Sequence, residues 1–313
     1  MGPSELRKLL EEYGLAVNKG LGQNFLTDDG ILESIADAAD ISAEDTVLEI
    51  GPGPGVLTEV LLARAKTVTA VELDKGMCRL LEGRFAGNEK LRILHGDILK
   101  LDIEELYRGA GAPETGLKVA ANLPYYVTTP VLMHLLQHRE LFRSITVMVQ
   151  KEVAERMEAK PGSKSYGALS LAVQYAAKIT LDFTVPPSAF YPMPKVTSAV
   201  VTLTPYEKPP VKVASEADMF RLIKAAFGQR RKMLANAAAG VNITRAHTNG
   251  QEVDITQTTN PECAVNITYH QTTKPALEAA LKQLSLDPKI RGEELSLEQF
   301  AALSNILSES FPA

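Results

Sequence analysis

From residue 28 onward the chain alternates between two hydrophobic rhythms. The stretch DDGILESIADAAD (28–40) puts Ile31, Ile35 and Ala38 on one face at helical spacing. TVLEI (46–50) is a β-branched run, followed by GPGPG (51–55) and the helix-like VLTEVLLARA (56–65). A second strand, TVTAVEL (67–73), leads into a helix, KGMCRLLEGRF (75–85), and LRILHGD (91–97) is a third strand. LKVAA (117–121) and SITVMVQ (144–150) are a fourth and a fifth, trailed by the helical segments PVLMHLLQH (130–138) and KEVAERM (151–157). Strict alternation of this kind predicts an α/β domain, a parallel sheet covered by helices on both faces. Ahead of it, Ser4 to Tyr13 alternates charge and leucine as a short amphipathic helix does.

The rhythm then breaks. KITLDFTV (178–185) and TSAVVTLTP (197–205) are strands joined by a proline-rich link rather than by a helix, so they are expected to close the sheet as an antiparallel pair. YEKPPV (206–211) reads as a linker, which divides the chain into domains at 1–206 and 207–313. The second is helical, with helices expected over 216–239, 276–284 and 296–307. One segment inside it is different in kind. Residues 240–274 are rich in Thr and Asn with Val/Ile alternation, and Asn249-Gly250 is a hairpin turn signal, so this insert is expected to be β-like, a hairpin or a loop between two helices.

The composition is that of an ordinary globular protein of 313 residues. No apolar run has membrane-spanning length, and the opening carries no basic-then-apolar leader. Two cysteines, Cys78 and Cys263, stand far apart without metal-ligand spacing around them, which fits free thiols and a cytoplasmic setting with no membrane partner. The net charge of −5 argues weakly against a nucleic-acid partner, yet local basic clusters remain at Lys195 and at QRRK, which holds Arg230, Arg231 and Lys232. The five histidines show no partner spacing, so neither a metal site nor a histidine-based triad is expected; His95 reads as a polar strand end.

The glycine loop after the first strand carries chemistry. Strand, tight glycine turn and helix is the context of a nucleotide-type site. Here, however, Pro52 and Pro54 interrupt the glycines, and proline has no N–H to offer a phosphate. The loop therefore suits a cofactor that needs close backbone approach at Gly51 but carries no phosphate, such as S-adenosylmethionine. Glu72, ending the second strand, is placed to accept from ribose hydroxyls, and Asp97, ending the third, from an adenine amino group. Glu49 lies just before the loop, where a cationic sulfonium and ammonium would sit.

The fourth strand ends in Asn122-Leu123-Pro124-Tyr125-Tyr126. Strand ends at the carboxyl edge of a parallel sheet are where ligands bind. An amino group on an aromatic ring is a poor nucleophile because its lone pair is delocalised. Two acceptors, the Asn122 side-chain oxygen and the Leu123 carbonyl stiffened by Pro124, would draw its hydrogens and turn the lone pair toward a methyl donor. Tyr125 supplies a ring face for a base taken out of its stack, and Phe190, on the proline-rich link, is a candidate for the opposite face. Plain packing is the alternative for Phe190, and the favoured reading for Tyr126 and Tyr191.

GQNFL (22–26), LEIGPGPGVLT (48–58), VELD (71–74), HGDIL (95–99), NLPYY (122–126), MVQKEVAERM (148–157) and FYPMPKVTSAVV (190–201), in this order, resemble the rRNA adenine N6,N6-dimethyltransferases, and most the bacterial small-subunit type associated with kasugamycin resistance. The resemblance implies a Rossmann-like class I methyltransferase domain with a seven-stranded mixed sheet and a small C-terminal helical domain. It implies an S-adenosylmethionine site lined by Asn24, Leu26, Gly51, Glu72, Asp97 and Asn122. It also implies dimethylation of two adjacent adenosines in the 3′-terminal hairpin loop of 16S rRNA, by a monomer acting on an assembling 30S particle. Residues 240–274 depart from the family, where a short helical connection is expected. Three other readings stay open: a large-subunit (23S) rRNA dimethylase with the same catalytic motifs, a non-catalytic assembly or transcription factor on this scaffold, and a nicotinamide dehydrogenase. The loop prolines and the lack of a proton-transfer residue weigh against the last.

Overall fold

The computed structural model describes residues 1–17, 20, 22–113, 116–248, 251–252 and 266–310. They form two compact units, one of residues 1–155 with 176–207 and the other of residues 156–175 with 208–313. The stretch 156–175, expected in the first domain, groups with the second because Tyr166, Leu171 and Tyr175 are part of that unit's buried core.

The first unit is built on β2 (Thr46–Ile50), β3 (Thr67–Glu72), β4 (Leu91–His95), β5 (Leu117–Asn122), β6 (Phe142–Gln150), β7 (Ala177–Val185) and β9 (Ser198–Pro205), with β1 (Phe25–Leu26) and β8 (Phe190–Tyr191) outside the main sheet. The seven strands run in the order β4-β3-β2-β5-β6-β9-β7, and β9 lies antiparallel between β6 and β7. The expected antiparallel closure is thus present. Helices α1 (Pro3–Glu12), α2 (Asp29–Ala38), α3 (Val56–Arg64), α4 (Lys75–Arg84), α5 (Ile103–Gly109) and α6 (Thr128–Gln137) accompany these strands; α7 (Lys151–Met157) spans the boundary, and α8 (Ala168–Ala176) falls almost wholly in the second unit. All five residues of β2 and the first five of β5 are buried, as central strands of a covered parallel sheet require.

The register brings the strand ends together. Ile50 pairs with Val71, and Glu72 with His95, so β2, β3 and β4 finish along one edge, and β5, parallel to β2, finishes there too. Asp74, just past β3, caps α4 by accepting from the Gly76 N–H at 2.7 Å, which fixes the chain as it leaves Glu72. The N-terminal segment is tied to the same edge. Leu6 and Leu10 of α1 pack with Phe25, Met77 and Leu80, and β1 pairs antiparallel with β8, Phe25 opposite Tyr191 and Leu26 opposite Phe190.

The second unit contains α9 (Glu216–Gly228), α10 (Leu234–Ala237), β10 (Asn242–Thr248), β11 (Gln251–Glu252), β12 (Asn266–Gln271), α11 (Lys274–Gln283) and α12 (Leu297–Glu309). The single helix expected over 216–239 is broken. Met233 bridges to Arg291 and the Leu234 N–H donates to the Ile290 carbonyl at 2.8 Å, so residues 229–233 leave the helix for a tertiary partner. Among its described residues the insert is β-structure, ordered β11-β10-β12 with both pairs antiparallel. Asn249, Gly250 and Cys263 lie outside the described residues. Asp218 of α9, fully buried, anchors β10 by accepting from the Thr244 N–H at 2.8 Å and its hydroxyl at 2.9 Å.

Candidate active site

A cavity open to solvent lies at the carboxyl edge of the sheet. Its wall combines the ends of β2, β3 and β5, the residues after β4, and the N-terminal segment Gly22–Leu26. Asn24, Leu26, Gly51, Glu72, Asp97, Asn122, Leu123, Pro124 and Tyr125 all line it.

The glycine loop offers little to a phosphate. The Gly51 N–H donates to the Val71 carbonyl at 2.9 Å, that of Gly53 to a Glu72 carboxylate oxygen at 3.0 Å, and that of Gly55 to the Pro52 carbonyl at 3.0 Å. All three glycine donors are thus used within the protein, and the two prolines have none. Gly53 also has to be glycine. Its φ of +56° is left-handed, and a Cβ there would lie 2.8 Å from the Phe25 ring, so the loop packs directly beneath β1.

Three acids face this cavity in different states. Glu72 is nearly buried and accepts from two N–H groups, Gly53 on one oxygen and Asp74 at 2.8 Å on the other. Burial still holds its carboxyl above the usual range, against the pull of those two bonds. Asp97 is more open and accepts from the Leu99 N–H at 3.1 Å. Glu49 is only 1% exposed, and its Oε2 has no hydrogen-bond partner. Burial pushes its carboxyl up to about 8, and the nearby Glu72 charge adds to that. A buried acid with one oxygen unpartnered in the wall of a cavity suits a cationic ligand. Two further acids, Glu72 and Asp97, on the same wall and a loop with no spare glycine donor complete a set that fits a cationic, phosphate-free adenosine cofactor.

Asn122 is half-buried, and its Nδ2 donates to the Asn24 carbonyl at 3.2 Å. Asn24 is itself turned inward by its own Nδ2, which donates to the Gly22 carbonyl at 3.0 Å. The amino end of the Asn122 amide is therefore committed, and Oδ1 is the end left for a ligand. The turn after it closes on the Pro124 carbonyl, which accepts from the Val127 N–H at 3.1 Å and the Thr128 hydroxyl at 3.2 Å, not on that of Leu123. Tyr125 is half-buried, with Oη 2.7 Å from the Ser198 hydroxyl, and Tyr126 beside it is 54% exposed.

Phe190 is placed differently from the ring-face expectation. It is 4% exposed, packs in the core with Leu26, Ile35 and Val200, and is not part of the cavity wall. Its backbone pairing with Leu26 draws the ring inward, so packing is the role its position supports. Lys195 is exposed on the first unit. In the second unit Arg230 is ion-paired with Glu293 and donates to the Ser163 carbonyl at 3.3 Å, whereas Arg231 and Lys232 are exposed. His95 sits at the sheet edge with Nε2 3.2 Å from the Leu73 carbonyl. Among the described residues no cluster of His, Cys, Asp and Glu could hold a metal, and no helix is long and apolar enough to cross a membrane. Sequence reasoning did not find Leu73, Ile98, Leu99 and Val127 on the wall, nor Ser198 behind Tyr125. The one available signal was Leu73, an apolar residue directly after a strand-ending acid and 48% exposed.

A mixed seven-stranded sheet with one antiparallel strand, and a glycine loop after its first strand, defines a Rossmann-like methyltransferase fold. The chain belongs to the ribosomal RNA adenine dimethylase family, whose sequence profile matches residues 14–279. The "Ribosomal RNA small subunit methyltransferase A" of Geobacillus sp. (strain WCH70) is 43% identical over 305 residues, 97% of this chain and 96% of the relative. Among solved structures, a dimethyladenosine transferase from Plasmodium falciparum aligns with a TM-score of 0.66 at 28% identity, covering 89% of this chain and 95% of that one. The 23S rRNA methyltransferase ErmE shares the fold, with a TM-score of 0.58 at 21% identity over 90% of this chain and 99% of its own.

Proposed function

We propose that the protein transfers methyl groups from S-adenosylmethionine to the N6 atoms of two adjacent adenosines in the 3′-terminal hairpin loop of small-subunit rRNA. In this reading it works as a monomer, in the cytoplasm, on an assembling 30S particle. The observation that carries the reading is the Asn122 amide, fixed by the Asn24 carbonyl at the end of β5 in the same cavity as Glu49, Glu72 and the glycine loop. Likeness at 43% identity to a small-subunit methyltransferase supports the small-subunit choice.

Within this site Glu72 would hold the ribose hydroxyls of the cofactor, Asp97 its adenine amino group, and Glu49 its cationic end. Gly51 allows close approach, and Asn24 and Leu26 close the near side. The cofactor supplies an electrophilic methyl group on a sulfonium. The protein supplies geometry. Asn122 Oδ1 and the Leu123 carbonyl accept the two N–H bonds of the adenine amino group, and this turns its lone pair out of conjugation. After the first transfer one N–H remains, so one acceptor still suffices for the second. The alkylated nitrogen is acidic, and it loses its proton without a strong base. Tyr125 stacks on the base and offsets part of the cost of taking it out of the loop, about 1–3 kcal/mol. Lys195, Arg231 and Lys232 would contact phosphates. Arg230 would serve the second unit's own structure, because its guanidinium is occupied by Glu293.

The test is methylation of undermethylated 30S particles with labelled S-adenosylmethionine, followed by mass spectrometry of the rRNA. Two dimethyladenosines in the 3′-terminal hairpin are expected. Label appearing only in 23S rRNA would overturn the small-subunit reading in favour of the large-subunit one, and no transfer to any RNA would overturn the enzymatic reading.

A further inference from the structure

Two rings at the end of β5 line the cavity, Tyr126, which is exposed, and Tyr125, which is half-buried and fixed at its tip, while Phe190 lies in the core. A phenyl ring would stack as well as a phenol. The hydroxyl of Tyr125 therefore needs its own explanation, and it lies 2.7 Å from Ser198 Oγ.

Ser198 is fully buried and is the first residue of β9. Its backbone is paired on both sides, opposite Gln150 of β6 and opposite Val185 of β7. The neighbouring Thr197 carbonyl accepts from the Lys151 N–H at 3.0 Å. The serine oxygen is thus a fixed point of the sheet. Tyr125 is held at its other end by the turn that closes on Pro124. A side chain pinned at its backbone by a proline turn and at its tip by a sheet-borne hydroxyl keeps one ring plane.

We propose that Ser198 is a positioning residue for methyl transfer, holding the Tyr125 ring in the plane against which the target adenine stacks. This rests on the adenine N6 reading of the site. The bond gives the buried Ser198 hydroxyl and the Tyr125 phenol a shared polar contact, so neither oxygen is left without a partner. Its removal would leave cofactor binding untouched, since Ser198 is not part of the cavity wall. The loss would fall on how the base is aligned, the step on which a small misplacement is most costly.

The experiment is a double-mutant cycle of Ser198→Ala, Tyr125→Phe and the pair, using undermethylated 30S particles. Three quantities are read for each variant: kcat and KM for methyl transfer, the Kd of the cofactor, and the thermal midpoint. Each single change is expected to lower kcat/KM by about tenfold, with cofactor Kd within about twofold of the parent, and the double variant is expected to be no worse than either single one. Effects that multiply, a Ser198→Ala enzyme as active as the parent, or a loss confined to cofactor Kd would overturn the proposal. Should Ser198→Ala lower the thermal midpoint, Tyr125→Phe decides alone: it removes the same bond while leaving the buried serine in place, and full activity there refutes the role. An inactive parent would instead refute the adenine N6 reading itself.

Discussion

Replacing Glu49 by Gln tests the buried acid of the cavity wall most directly. The Glu49 carboxyl is 1% exposed with one oxygen unpartnered, and its ordinary value of 4.5 is pushed up to about 8. Below pH 4.5 the group is protonated whether the chain is folded or not, and it contributes no pH dependence. Between 4.5 and about 8 the unfolded chain gives up the proton while the folded one keeps it, so stability falls as pH rises, by about 1.4 kcal/mol per pH unit. At pH 7 the accumulated penalty is about 3 kcal/mol. Glu49→Gln keeps the shape and removes the titration. The variant without cofactor should match its parent near pH 4.5 and exceed it by up to about 3 kcal/mol at pH 7 in denaturant unfolding. Cofactor binding should move the opposite way. A cationic ligand favours the ionised acid, so the parent should release close to one proton per cofactor bound at pH 7, and its affinity should rise toward pH 8. Calorimetric titration in two buffers of different ionisation heat counts that proton directly. In Glu49→Gln the count should fall to zero and the pH dependence should flatten. A parent that releases no proton, or a variant that keeps the same pH profile, would refute the assignment of Glu49 as the counter-charge.

Asn122→Ala should retain cofactor affinity within a few-fold, because Glu49, Glu72 and Asp97 remain, while kcat falls by about 10²–10³; unchanged turnover in a steady-state assay would remove the amide from the chemistry. Gly53→Ala must place a Cβ 2.8 Å from the Phe25 ring at a φ of +56°, so it should cost at least about 1–2 kcal/mol and weaken cofactor binding, as read by thermal unfolding and calorimetry. Asp218→Ala leaves the Thr244 N–H without its acceptor and should cost the second unit about 3 kcal/mol with cofactor affinity unaltered; a change in that affinity would show that the insert-bearing unit influences the cavity.

The sheet was legible because central parallel strands are buried on both faces. TVLEI and LKVAA therefore show as unbroken apolar runs, and their ends mark the ligand edge without further information. The acids at those ends were legible for the same reason. Four features were not. Helix α8 is hidden because its apolar residues run on into β7, and no turn residue separates the two periods. The helix expected through residue 239 breaks for hydrogen bonds to residues 290 and 291, a partner some 60 positions away that local periodicity cannot register. Phe190 looked like a stacking ring from its proline-rich neighbours. Its inward rotation follows from a two-residue strand, too short for any period to show. The bond between Asn24 and Asn122 is equally silent in sequence, since a main-chain carbonyl has no residue-specific mark.

The pairing of β1 with β8 has a mechanical consequence. Two residue pairs, reinforced by the Thr27 N–H on the Ala189 carbonyl at 2.8 Å, make up its whole ladder. A ladder that short can open locally without disturbing the seven strands behind it. The Thr27 amide, bonded to the Ala189 carbonyl, reports on that ladder, and its rate of deuterium uptake should slow when the cavity is filled and quicken when it is emptied.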